Sequence, residues 1–110
     1  MTDAFTPEHA LGYLRSLAAD IREGAVLGLD GKLLAGLDGL AEPARALLAS
    51  APEAEDIEVA TAGGSVFAAR SDTHAIVLVC GRLALPSLVR SDLRAVLGDL
   101  AAGADAGRVS

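Results

Sequence analysis

GAVLGLDGKLLAG, from Gly24 to Gly36, reads as two short apolar strands joined by Asp30-Gly31. Asp-Gly between apolar runs is a strong hairpin signal, because a two-residue type I′ turn needs positive φ at both central positions. The first run, Ala25 to Leu29, carries no charge, so it suits the inside of a sheet. The second, Lys32 to Ala35, is shorter and ends at Gly36, which suits an edge.

Upstream, Thr6-Pro7-Glu8 predicts a helix start: a hydroxyl cap, proline at the first helical position and an acid in the first turn. Ala10, Leu11, Leu14, Leu17, Ala18 and Ile21 recur at three- and four-residue steps, an amphipathic stripe that Gly24 is expected to end. Met1 to Phe5 is expected to be a loose end. Downstream, Leu37 to Ser50 predicts a second helix, with Leu40, Ala44, Leu47, Leu48 and Ala51 as its stripe. Ala41 and Ala46 widen that stripe, so two surfaces can be covered. Its start is either Asp38, which leaves Pro43 inside, or Glu42 before Pro43 at the first position, the preferred reading.

Ala51 to Asp56 is an acidic connection. Ile57 to Ala62 alternates like a half-buried strand, Gly63-Gly64 turns, and Ser65 to Arg70 returns. Ser71-Asp72-Thr73 turns again into His74 to Cys80, the most apolar run of the chain. Pro86 opens a last helix with Leu88, Val89, Leu93, Val96, Leu97 and Leu100 on its stripe, and Ala101 to Ser110 is expected to fray. The fold class is therefore α+β: a five-stranded antiparallel sheet with helices on both faces, in the order α-β-β-α-β-β-β-α. The two most apolar strands, the first and fifth, belong at the centre, which leaves the second and third as edges. The third has no proline and one charge, Glu58, and such an edge is a template for pairing with another chain.

The 110 residues fit a single domain, 1–110, with an ordered part of about 6–101. A net charge of −6 argues against nucleic acid and anionic membranes as partners. With Phe5, Tyr13 and Phe67 as the only aromatics, base stacking on single strands is disfavoured as well. No apolar run reaches the roughly 20 residues of a membrane helix, and no leader is visible, so a cytoplasmic location without membrane insertion is expected. Eight of the nine basic residues are arginine and alanine is abundant, which fits a GC-rich bacterial genome.

No residue pattern supplies chemistry. His9 and His74 lie in different elements, too few and too scattered for zinc. Cys80, alone in an apolar strand, reads as a buried thiol. GLDGKLLAG lacks the spacing of a phosphate-binding P-loop, and Gly63-Gly64-Ser65 has no helix behind it. Glu53, Glu55, Asp56 and Glu58 read as a solvated acidic face. No cofactor, no metal site and no enzymatic activity are expected.

The element order, the Asp-Gly turn, the Leu-Leu-Ala strand and the apolar AIVLV strand before the last helix together resemble the roadblock/dynein-light-chain family, in its bacterial, MglB-like form. The resemblance covers roughly Ala10 to Leu100. It implies a profilin- and longin-like fold and a homodimer, or a heterodimer with a roadblock-like paralogue. In such dimers the third strands pair and the middle helices pack together. Here that places Leu40, Ala44, Leu47, Leu48, Ala51, Ile57, Glu58, Val59, Ala60 and Thr61 at the interface. The resemblance further implies a scaffold or regulator that binds a small Ras-like GTPase on the middle-helix face. It supplies no arginine motif that would act on the nucleotide. A small-molecule sensor of profilin- or PAS-like shape is the alternative. Proline at Val59 is the substitution the strand pattern suggests for breaking the dimer.

Overall fold

The computed structural model describes residues 6–17 and 20–108. Helix α1 spans Pro7–Leu17. The Thr6 hydroxyl caps it, accepting the His9 amide at 3.2 Å. Strand β1 then runs Ile21–Gly28. Ile21, Arg22 and Glu23 are thus strand, where the helical stripe predicts helix; Ile21 pairs with Cys80 and Glu23 with Val79. Gly24 is not a helix terminator. A Cβ there would stand 2.9 Å from Leu11 Cδ2 and 3.0 Å from Leu78 Cδ2, so the glycine lets α1 lie close against the sheet. Ala18 of the predicted stripe, Met1 to Phe5 and the last two residues lie outside the described residues.

The turn at Asp30-Gly31 is present but is not type I′. Among the described residues none other than glycine has positive φ, whereas Gly31 stands at +82°. Gly28 N–H donates to the Lys32 carbonyl, and Gly31 N–H to the Gly28 carbonyl. Leu29–Gly31 is therefore a three-residue loop with glycine at the left-handed position. The Asp30 carboxylate closes it by accepting the Lys32 amide at 3.0 Å. Strand β2 follows at Leu33–Gly36.

A 3₁₀ turn over Asp38–Leu40 leads into α2, Ala41–Ser50. The helix opens one residue before Glu42, and Pro43 sits in its first turn, where the missing amide has no intrahelical partner to lose. Strands β3 (Asp56–Thr61), β4 (Gly64–Arg70) and β5 (His74–Gly81) complete the sheet, and α3 runs Pro86–Arg108. The β3–β4 loop is Ala62-Gly63, one residue earlier than the glycine pair suggests, because Thr61 pairs with Gly64. Helix α3 continues through Ala101–Arg108 where composition predicts fraying; Ala101, Ala102, Ala104 and Ala106 favour helix.

All pairings in the sheet are antiparallel, in the order β2-β1-β5-β4-β3, with the two most apolar strands at or beside the centre as their composition requires. Helices α1 and α3 cover one face, burying Leu14, Leu93 and Val96 against Val26, Phe67 and Leu78. Helix α2 covers the other, where Ala44 meets Leu27, Ala68 and Val77. Arg70 holds the end of α2 in place. Its guanidinium donates to the carbonyls of Leu48 at 3.1 Å, Ala54 at 2.7 Å, and Ala51. The Leu48 and Ala51 carbonyls also accept the Ala51 and Ala54 amides, so the arginine is a second partner that ties the helix end to the loop after it.

Candidate dimer edge and helix face

Two strands of this sheet lie at its edges, and they differ in fitness for pairing. Strand β2 is four residues long. Its register slips between Val26 and Leu27, leaving Leu34 as an extra residue, and it ends on Gly36 at φ +110°. A short, bulged edge is a poor template. Strand β3 has six residues in unbroken register with β4, no proline and no bulge.

The direction of each β3 amide follows from a printed bond and the alternation of antiparallel ladders. Arg70 N–H donates to the Glu55 carbonyl at 2.9 Å, which makes 55 and 70 a hydrogen-bonded pair. Alternation then makes 57/68, 59/66 and 61/64 hydrogen-bonded pairs as well. The neighbouring ladder agrees: Ser71 N–H donates to the His74 carbonyl, which sends the amides of Ser65, Phe67 and Ala69 toward β5. Ile57, Val59 and Thr61 therefore bond inward to β4. Asp56, Glu58 and Ala60 present their N–H and C=O groups to the open edge.

Side chains alternate too. Ile57 packs at the margin of the α2 core, and Val59 on the same face is 40% exposed. Asp56 and Glu58 face α3, where Arg94 bonds Asp56 at 3.1 Å and Arg90 bonds Glu58. Exposed pairs of this kind contribute about 0–1 kcal/mol to stability. Their larger effect is on the edge itself: two carboxylates that would repel an approaching strand are each matched by an arginine.

The sequence-derived interface set separates by burial. Glu58, Val59, Ala60 and Thr61 are exposed on β3, while Leu40, Leu47, Leu48, Ala51 and Ile57 are half-buried. Ala44, 1% exposed, is inside the chain's own core. The outer face of α2 carries Pro43, Ala46 and Ala49, exposed and spaced three residues apart, with Glu42, Arg45 and Ser50 exposed beside them. Small side chains on that face permit close approach of a second helix. The signal for Pro43 and Ala49 lay in the helical spacing, one step off the leucine stripe.

The titratable groups add little chemistry. Cys80 is buried, and burial followed by the nearby Asp20 carboxylate pushes its thiol up to about 11, so it stays protonated. Among the described residues, no three of His, Cys, Asp and Glu gather as a metal site, and no helix is long and apolar enough to cross a membrane. His74 Nδ1 lies 2.7 Å from the Thr73 hydroxyl, and burial lowers its pKa below the ordinary 6.5. The depressed value means that the unfolded chain takes up the proton first. The stabilising contribution is thus present above pH 6.5 and is lost as pH falls through the folded-state pKa. Urea midpoints should fall between about pH 7 and about pH 5, and His74→Gln should flatten that fall. Equal slopes in the two proteins would show that His74 does not carry it.

A five-stranded antiparallel sheet with one helix on one face and two on the other defines an α+β sandwich of the profilin kind. No family model matches the chain, and no curated protein does. Solved structures do. A Roadblock/LC7 domain from Streptomyces avermitilis has a TM-score of 0.70 at 16% identity, over 81% of this chain and 89% of that one. The gliding protein MglB from Thermus thermophilus has 0.64 at 16%, over 87% and 88%. Profilin II from Acanthamoeba castellanii follows at 0.55 and 11%, over 84% and 98%. Within the sandwich class, the chain has the roadblock/LC7 fold, MglB-like in its architecture.

Proposed function

We propose that this protein is a dimeric, non-enzymatic scaffold that binds a small Ras-like GTPase. The observation that carries the reading is β3: a regular, uncapped edge beside an α2 face of small residues, in a chain with the roadblock fold. An MglB structure with a tetrameric arrangement is among its structural neighbours, which supports self-association in this fold. The GTPase as partner rests on the family resemblance.

The edge also favours one register. Centring two antiparallel copies of β3 on Glu58 would set the two carboxylates opposite each other, a destabilising like-charge pair. Centring them on Val59 sets Val59 against its counterpart and Glu58 against Ala60. Four backbone bonds then join the Glu58 and Ala60 positions across the two-fold axis. The arginine-matched carboxylates lie on the α3 side of the joined sheet, and the α2 helices lie side by side on the other.

The alternative, a small-molecule sensor, needs a polar cavity. The cleft beside α2, about 320 Å³, is lined by Arg45, Arg70 and His74. Arg45 is engaged with the Gly31 carbonyl and Arg70 with the end of α2, which leaves a ligand few donors. The test is a pull-down from the source-cell lysate with the tagged protein, with and without a non-hydrolysable GTP analogue, read by mass spectrometry. Nucleotide-dependent enrichment of a small GTPase is the expected result. Recovery of the bait alone overturns the GTPase reading and moves the weight to the sensor.

A further inference from the structure

Four of the nine large apolar side chains exposed among the described residues line one groove: Leu17, Leu83, Leu85 and Leu88. The groove runs between the last turn of α1, the β5–α3 connector and the first turns of α3. Its floor is Val89 and Ala84, and its volume is about 480 Å³. Leu83 is 85% exposed, more than any other large apolar residue of the described chain. The connector that carries it is not loose. Asp20 accepts the Leu83 amide at 2.6 Å, and the Gly81 amide donates to the Asp20 carbonyl. A leucine held out by a fixed backbone, rather than collapsed onto the core, marks an interaction surface.

The charge around the groove selects the occupant. Its charged lining residues are Asp20 and Asp92, both acidic. The nearby arginines are turned elsewhere: Arg82 to the Ala62 carbonyl, and Arg90 and Arg94 to the β3 carboxylates. A second copy docked groove to groove about a two-fold axis would bring the same two carboxylates against themselves. An anionic membrane would meet like charge. We infer that the Leu17–Leu83–Leu85–Leu88 groove docks a basic amphipathic helix of a partner protein, its leucine-type anchors in the groove and its lysines or arginines over Asp20 and Asp92. This is helix-in-groove recognition with a charged rim. The groove lies on the α1/α3 face, opposite α2, so its occupant and an occupant of α2 do not compete.

The probe is a synthetic leucine/lysine peptide with leucines at i, i+3, i+4 and i+7, titrated into the labelled full chain and followed by amide chemical shifts. A leucine/glutamate peptide with the same leucines is the comparison. Shifts should gather at Leu17, Leu83 to Val89 and Asp92, and the glutamate peptide should bind at least about tenfold more weakly. Leu88→Ser should weaken the lysine peptide about tenfold, and Asp92→Lys should reverse the preference between the two peptides. Leu88 is exposed and Asp92 half-buried at the groove's rim, outside the buried core, so both variants should keep the native spectrum elsewhere. Shifts spread over β3 or α2, or equal affinity for the two peptides, overturn the assignment. So does self-association that Leu88→Ser abolishes, because the occupant is then a second copy.

Discussion

Ala60→Pro should turn the proposed dimer into a monomer without unfolding it. In the single chain the Ala60 N–H points off the free edge of β3, so proline removes no bond within the fold. In the Val59-centred pair, the same N–H donates to the Glu58 carbonyl of the other copy. Two of the four central bonds are lost by symmetry, and each pyrrolidine ring meets the carbonyl it replaced a donor to. Two hydrogen bonds at about 0.5–1.5 kcal/mol each, plus the clash, put the expected rise in the dimer dissociation constant at about 100-fold or more. Sedimentation equilibrium measures it, with far-ultraviolet circular dichroism as the control for folding. Val59→Pro, the change suggested by the strand pattern, is the weaker test. Its N–H belongs to the 59/66 pair, so proline there would damage the β3–β4 hairpin as well. If Ala60→Pro stays dimeric with native dichroism, the copies do not meet through β3.

The difference between those two prolines shows where sequence reading stops. Strand order was legible because burial on both faces demands continuous apolar runs, and Ala25 to Leu29 and His74 to Cys80 are those runs. The open edge was legible for the same reason, since Ile57 to Ala62 alternates. Which β3 amides point outward was not, because that parity depends on where the Ala62-Gly63 loop closes, and adjacent glycines allow either closure. The end of α1 was misleading for a geometric reason. Leu14, Leu17 and Ile21 satisfy a helical period, yet Ile21 also satisfies the pairing with Cys80, and tertiary pairing overrides local period. Ala44 illustrates the same limit on the interface. A single helical stripe names the residues that leave water, but not whether they leave it against the chain's own sheet or against a partner. The groove at Leu83 was hidden in what reads as a plain connector, because exposure of a leucine is a property of the fold alone.

Gly36→Ala should be strongly destabilising for a single added methyl. Gly36 stands at φ +110°, a region that side chains rarely adopt, and a Cβ there would lie 2.2 Å from the Gly24 carbonyl oxygen and 2.7 Å from Ala25 Cα. Neither atom can retreat easily. Gly24 pairs with Leu78 and its carbonyl accepts the Leu37 amide, and Ala25 pairs with Val77 in the central ladder. The dihedral strain costs about 1–3 kcal/mol, and the backbone clash raises the total to about 3 kcal/mol or more. For a domain whose whole stability is about 5–15 kcal/mol, the thermal midpoint should drop by more than about 10 °C. Gly39→Ala is the matched comparison: nothing lies within 4 Å of its added methyl and its φ is unexceptional, so it should be neutral or slightly stabilising. Thermal unfolding of the two variants separates backbone geometry from the loss of a glycine as such. Equal midpoints would mean that β2 can shift away from β1 at little cost. A large drop for Gly36→Ala alone, with dimer affinity unchanged below the transition, would show that this edge serves the fold and leaves pairing to β3.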